Sequence, residues 1–89
     1  MRSIVTVVGK DQVGIIAGVC TQLAKDQINV LDINQTILNG TFTMIMLVDT
    51  ALSAAPFASL VAELEEFGRA RGLTIHMQRE DIFDAMHRI

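Results

Sequence analysis

The sequence predicts an α+β fold in which two helices cover one face of a four-stranded antiparallel sheet. Short runs rich in Val and Ile alternate with two longer segments whose apolar residues recur every three or four positions. Between two of the runs stands Asn39-Gly40, a strong signal for a two-residue hairpin turn. The 89 residues show no break in composition, so we expect one domain over residues 1–89.

The first strand and first helix follow directly on one another. Residues 3–8 are dense in Val and Ile, and the strand is expected to stop at Gly9, where a helical pattern begins. The spacing of its apolar residues predicts one buried stripe, made of Val13, Ile16, Ala17, Cys20, Leu23 and Ala24. Because Cys20 lies on that stripe, we interpret it as a buried structural thiol rather than a nucleophile.

The second and third strands form the predicted hairpin. Residues 28–38 read as a strand whose apolar phase changes between Val30 and Leu31, which indicates either a bulge or an apolar face on each side. After the turn, residues 41–49 run back with Met44 and Met46 on one face, where we expect them to fill a core or an interface.

The second half of the chain repeats the pattern of strand and helix. A helix between Pro56 and Gly72 is followed by a half-buried strand over residues 73–78 and a short amphipathic helix over residues 80–89. The order β-α-β-β-α-β followed by a helix predicts a ferredoxin-like fold. Right-handed crossovers place both main helices on one face, so the open face or a sheet edge is expected to meet another subunit.

Composition limits the classes of function. The net charge of −3 and the pI near 5.1 argue against nucleic acid and anionic membranes as partners. The apolar runs are far shorter than a membrane span, no signal-peptide pattern begins the chain, and a single cysteine suits a reducing compartment, so we expect a cytoplasmic protein. Hydrophobic residues make up 51% of the chain, which favours an oligomer.

The junction of the first strand and helix predicts a small-anion site. The first N–H groups of a helix lack partners within the helix and attract carboxylates and phosphates. Gly9 and Gly14 have phosphate-loop spacing, but Ile15 and Ile16 stand where Lys and Ser or Thr are needed, so a nucleotide is poorly supported. Asp11 either pairs with the ammonium group of a zwitterionic ligand or merely caps the helix.

Three segments resemble those of ACT domains, specifically the small stand-alone ACT proteins related to the glycine-cleavage transcriptional repressor. They are V-V-G-K-D-Q-V-G-I-I-A-G-V at residues 7–19, I-N-V-L-D-I-N-Q-T at 28–36 and F-T-M at 42–44. The resemblance implies a regulatory module that binds amino acids or other small ligands, usually between two subunits whose sheets join edge to edge. It also implies the ligand contacts, with Asn29 often supplied by the neighbouring subunit: Lys10, Asp11, Gln12, Val13, Gly14 and Asn29.

Some of these residues also have purely structural interpretations. Gly18 fits close packing better than ligand contact, whereas the resemblance favours ligand contact for Gly14. Asn29 is either a turn residue or a ligand-binding amide. His76 and His87 have no partners at metal-ligand spacing, and no nucleophile, base and orienting group can be assembled. We therefore expect no catalytic residue, no metal and no cofactor.

The leading hypothesis is a sensor in which an amino acid at a homodimer interface modulates a partner, such as a metabolic enzyme or regulator. The alternative is a ligand-independent dimeric interaction module, supported by the apolar excess and the C-terminal helix. RNA binding is the weakest hypothesis, because the same fold binds RNA through exposed aromatic residues and the two central strands offer only Phe42.

Overall fold

The computed structural model describes residues 1–86 and has the predicted order of elements. The elements are β1 (Arg2–Lys10), α1 (Ile15–Lys25), β2 (Asn29–Leu38), β3 (Thr41–Asp49), α2 (Phe57–Arg69), β4 (Leu73–Arg79) and α3 (Glu80–Met86). The end of the predicted C-terminal helix, residues 87–89, lies outside the described residues. The ferredoxin-like prediction is therefore confirmed.

The four strands form one antiparallel sheet in the order β2-β3-β1-β4. The central strand β1 pairs with both β3 and β4, so that Val5 lies between Met46 and Met77. The strands β2 and β4 are the two edges. This order matters for the site, because it puts β2 at an unpaired border of the sheet.

The core lies between the sheet and the two main helices. Alternate residues of β1 and β3 point into it, and Met44 and Met46 are fully buried, which confirms them as core filler. From the helices come Val19, Leu23, Leu60 and Leu64, all nearly inaccessible to solvent. Burial of these side chains supplies most of the favourable free energy of a small domain.

The start of α1 differs from the prediction. Gly14 takes a left-handed conformation, with φ of 85°, and the helix begins only at Ile15. Val13 therefore lies before the helix and is fully exposed. Of the predicted stripe only Leu23 is buried, since Ile16, Ala17 and Ala24 are exposed and Cys20 is half-buried against the core. The buried stripe is instead Ile15, Val19 and Leu23. Gly9 does not end β1 either, since it still pairs with β3 and β4. The prediction was wrong here because apolar spacing does not register a backbone reversal.

The predicted hairpin and bulge are both present. Asn39 and Gly40 have φ of 54° and 81°, as a type I′ turn requires. The β2–β3 register shifts between Val30 and Asp32, so Leu31 is the extra residue of a bulge. Because of that bulge, the residues on both sides of it can face the helices, which explains the change of apolar phase.

The short helix α3 follows β4 directly and contacts β1 and β4. Its first residue, Glu80, lies 3.0 Å from the guanidinium of Arg2. Ile82 is exposed and Phe83 is half-buried. Within residues 1–86, no helix has the length and apolar character needed to cross a bilayer.

Candidate ligand-binding site

The loop between β1 and α1, residues 11–14, is tied to two neighbouring turns. The Asp11 backbone N–H donates a hydrogen bond to the Gly40 carbonyl at 2.9 Å. The Gln12 side chain donates from Nε2 to the Arg71 carbonyl at 3.1 Å, and also lies 3.4 Å from the Lys10 carbonyl. These bonds fasten the loop to the β2–β3 hairpin on one side and to the α2–β4 turn on the other.

The start of α1 carries no capping side chain. Its N-cap is Gly14, no side chain bonds to the first turn, and that turn contains no acid. The alternative that Asp11 merely caps the helix is therefore wrong, because the backbone reversal at Gly14 moves the cap position three residues beyond it. The first N–H groups of α1 remain available to an anion.

A cleft of about 210 Å³ lies where this loop meets the start of α1 and the sheet. We call it the loop cleft, and its lining residues are Asp11, Gln12, Gly14, Ile15, Ile16, Ala17, Gln35, Ile37 and Phe42. Its wall is mostly apolar, and Asp11 is the only ionisable residue among the described residues that line it. This wall suits a ligand with one cationic group, one anionic group and an apolar side chain.

The predicted site residues are brought together only in part. Asp11, Gln12 and Gly14 line the loop cleft, whereas Lys10 lies exposed at the end of β1 and Val13 projects into solvent. Asn29 lies at the opposite end of the sheet, because it pairs with Asp49 while Lys10 pairs with Thr41. Those two pairs are eight residue steps apart along β3, or about 27 Å. One copy of the chain cannot bring Asn29 to the loop.

The sequence profile of the ACT domain family matches residues 2–78. The chain belongs to the ACT domain family. A UPF0237 protein of Bifidobacterium longum is 52% identical over 88 residues, which are 99% of this chain and 98% of that protein. An ACT domain protein from Streptococcus pneumoniae has a solved structure with 41% identity and a TM-score of 0.83, over 98% of each chain.

A crystal structure of a putative glycine cleavage system transcriptional repressor is also similar, with 25% identity and a TM-score of 0.71. The match covers 86% of this chain and 44% of the repressor chain. The resemblance predicted from the three sequence segments is thus confirmed. ACT domains are commonly regulatory, ligand-binding modules.

Six residues that line the loop cleft of this ACT domain were not predicted as site residues. Ile15, Ile16 and Ala17 come from α1, Gln35 and Ile37 from β2, and Phe42 from β3. The bulge at Leu31 was the available signal, because beyond it every second residue of β2 faces the helices, as the pairing of Ile33 with Met46 demonstrates. Counting from the bulge places Gln35 and Ile37 on the helix-facing side of β2, and the strand order then puts them beside the start of α1.

The two glycines of this region have different roles. A Cβ at Gly14 would meet no atom within 4 Å, so glycine is needed there for its positive φ and not for lack of space. A Cβ at Gly18 would lie 3.2 Å from Phe67 Cζ, which supports the packing interpretation of that residue. Contact between Gly14 and a ligand stays a prediction.

The loop cleft reaches the unpaired edge of the sheet through Ile37. Along that edge β2 exposes apolar side chains to an unusual degree, with 41% of Ile33, 56% of Ile37 and 75% of Leu38 accessible. Among the described residues, the outer side of β2 also pairs with no other strand. An exposed, apolar edge strand of this kind is a template for pairing with another strand.

Proposed function

We propose that this ACT domain, spanning residues 1–89, is a regulatory module that binds a free amino acid in the loop cleft. The observation that carries the proposal is the joint presence, in one cleft, of Asp11 and the uncapped start of α1. The Asp11 carboxylate pairs with the ligand ammonium, and the first N–H groups of α1 bind the ligand carboxylate. The ligand side chain packs against Ile16 and Ile37.

Two copies joined through β2 form the functional unit. We place the two-fold axis at Gln35, so that Gln35 of one copy lies opposite Gln35 of the other. Directly opposed residues of antiparallel strands lie on the same face, so the helix-covered faces of the two sheets form one continuous face. In that register Ile33 packs against Ile37 of the second copy. The exposed apolar edge supports this arrangement, since pairing removes Ile33 and Ile37 from water.

The same register accounts for the predicted role of Asn29. In this register, residues that are equally far from Gln35 on the two β2 strands lie opposite each other. Because Leu31 is an extra residue in the strand, Asn29 then lies opposite the Asn39-Gly40 turn of the second copy. The Gly40 carbonyl accepts the hydrogen bond from Asp11. Asn29 thereby reaches the loop at residues 10–14 of the second copy, where Lys10 and Val13 form the rim.

The ligand acts as a regulator through its preference for one state of the dimer. A ligand changes an equilibrium only by its differential affinity for the two states. Binding at the subunit interface changes dimer stability and geometry, and with them the affinity for a metabolic enzyme or regulator. We place the protein in the cytoplasm, without catalytic activity, metal or cofactor of its own.

Thermal-shift and calorimetric titrations with the proteinogenic amino acids test this proposal. A ligand that binds only the native protein raises the melting temperature. We expect Asp11→Asn and Asn29→Ala each to weaken binding by about tenfold or more, since each removes a polar partner of the ligand. Asp84→Asn, an exposed change on α3, is the control and should leave affinity unaltered. The absence of heat with every amino acid would contradict the proposal.

A second candidate is a ligand-independent dimeric interaction module. The exposed edge residues Ile33, Ile37 and Leu38 favour it, because they explain dimerisation without any ligand. Under this alternative, the dimer mass and the affinity for a purified partner are the same with and without amino acids.

A further inference from the structure

A second depression lies between α1 and α2, next to the loop cleft. We call it the helix groove. It measures about 390 Å³, and its lining includes Ala17, Gly18, Lys25, Phe67 and Arg71. Gly18 packs against the edge of the Phe67 ring, since a Cβ there would lie 3.2 Å from Cζ, and Phe67 is half-buried. Ala17, Gly18 and Phe67 therefore give the groove an apolar floor.

Two cations stand at the ends of this floor. The Arg71 guanidinium lies 3.7 Å from the centroid of the Phe67 ring, and its Nη1 donates to the Phe67 carbonyl at 3.2 Å. Lys25 is seven residues beyond Gly18 on α1, or about 10 Å along the axis. Within residues 1–86, neither cation forms an ion pair and no acid lines the groove. On a chain of net charge −3, this is a local site of positive charge.

Three acids lie near the groove without lining it. Glu63 and Glu66 line a neighbouring depression that shares Gln22 and Phe67 with the groove, and Glu66 is paired with Arg69. Asp26 follows Lys25 in the chain and lines a different depression. Negative groups of a bound partner are thus favoured beside Lys25 and Arg71 and disfavoured beside Glu63 and Glu66. The combination of two spaced cations and an aromatic floor matches an amphipathic segment better than a small ion.

We propose that the helix groove binds an acidic amphipathic helix of a partner protein. Arg71 stacks on Phe67, which packs against Gly18, and Lys25 lies about two turns along α1 from Gly18. Two carboxylates about seven residues apart on the partner helix therefore face the two cations. An aliphatic side chain between them packs on Phe67 over Gly18. Helix-in-groove binding of this kind uses side chains spaced by whole turns.

The helix groove and the loop cleft are physically connected. Ala17 lines both of them, and Gln12, which lines the loop cleft, donates to the carbonyl of Arg71. Coupling between the two sites rests on the proposed function, because it requires an amino acid in the loop cleft. A ligand that shifts Gln12 also shifts Arg71, and so changes the affinity for the acidic helix. The docking itself requires no ligand.

The test uses a synthetic helical peptide of about five turns. Two Glu residues seven positions apart flank Leu residues on one face, and a matched peptide has Gln in place of both Glu. Titration into isotope-labelled protein, without any amino acid, should shift the backbone amide signals of Gly18, Thr21 and Gln22. We expect the Gln peptide to bind about tenfold more weakly or not at all.

Protein variants locate the binding surface. Lys25→Glu should weaken the acidic peptide about tenfold, and because Lys25 is exposed and unpaired the variant keeps its fold. Arg79→Glu carries the same charge change on the far edge strand and should bind as the unaltered protein does. Equal binding of both peptides, or signal shifts confined to other surfaces, would overturn the proposal.

The experiments also distinguish two other molecules that would fill the helix groove, a second copy of this chain and a nucleic acid. A fall in the mass of the protein in solution on Lys25→Glu would mean that a second copy fills the groove. Displacement of the peptide by a single-stranded oligonucleotide would mean that nucleic acid does. Either result overturns the proposal. Peptide binding without any amino-acid binding would instead contradict only the proposed function, and a change in peptide affinity on adding the amino acid supports the coupling.

Discussion

Replacing Gly14 by Ala should destabilise the fold through the backbone alone. Gly14 has φ of 85°, and a Cβ placed there would meet no atom within 4 Å. A left-handed conformation costs an L-residue about 1–2 kcal/mol, and the open surroundings add no steric cost. For a domain of this size, that cost corresponds to a fall in melting temperature of roughly 4–15 °C.

Gly18→Ala is the matched control on the same helix. Its added methyl group lies 3.2 Å from Phe67 Cζ, which requires a small movement of that ring. Ala also favours the helix over Gly by about 1 kcal/mol, so the two effects nearly cancel. Gly14→Asn should fall between Gly14→Ala and the unaltered protein, since Asn adopts positive φ more readily.

Urea unfolding at one fixed protein concentration measures these differences, because the stability of an oligomer depends on concentration. We expect the midpoint to fall for Gly14→Ala and to change little for Gly18→Ala. Equal midpoints for Gly14→Ala and the unaltered protein would refute the assignment of Gly14 as the left-handed start of α1.

Three further predictions concern the hydrophobic core, the stability of the fold at low pH and the edge strand β2. Leu23→Ala, at a side chain only 1% exposed, should lower the free energy of unfolding by about 2–5 kcal/mol in urea. The Ala51 N–H and the terminal ammonium lower the pKa of Asp49. Its stabilisation is therefore present above the unfolded pKa of about 4 and lost as pH falls further. The difference in unfolding midpoint between Asp49→Asn and the unaltered protein should accordingly narrow as the pH falls below about 4. Ile33→Lys on the β2 edge should dissociate the proposed dimer, as measured by light scattering, whereas Leu52→Lys, at another exposed apolar side chain, should not change the mass.

The sequence predicted the elements whose signals are local. Asn39-Gly40 specified its turn because positive φ at both positions is a property of those residues. The change of phase at Leu31 indicated the bulge because a strand alternates strictly between faces. Such signals need no knowledge of the rest of the chain.

The parts of the site that depend on distant contacts were less accessible from the sequence. The predicted buried stripe of α1 was wrong except at Leu23, because the backbone reversal at Gly14 leaves no mark on apolar spacing. Gln35 and Ile37 join the loop cleft only through the order of the strands. The distance from Asn29 to the loop likewise follows from pairing registers that span the whole sheet.

The central claim, that two copies share each amino-acid site, is tested most directly with a mixed dimer. One subunit carries Asp11→Asn and the other carries Asn29→Ala, and calorimetry counts the bound ligand. In the shared arrangement each variant homodimer loses both sites, while the mixed dimer keeps one site in which an intact Asp11 meets an intact Asn29. We predict one bound amino acid per mixed dimer, at the affinity of the unaltered protein. A mixed dimer that binds no more ligand than the two variant homodimers would contradict the claim.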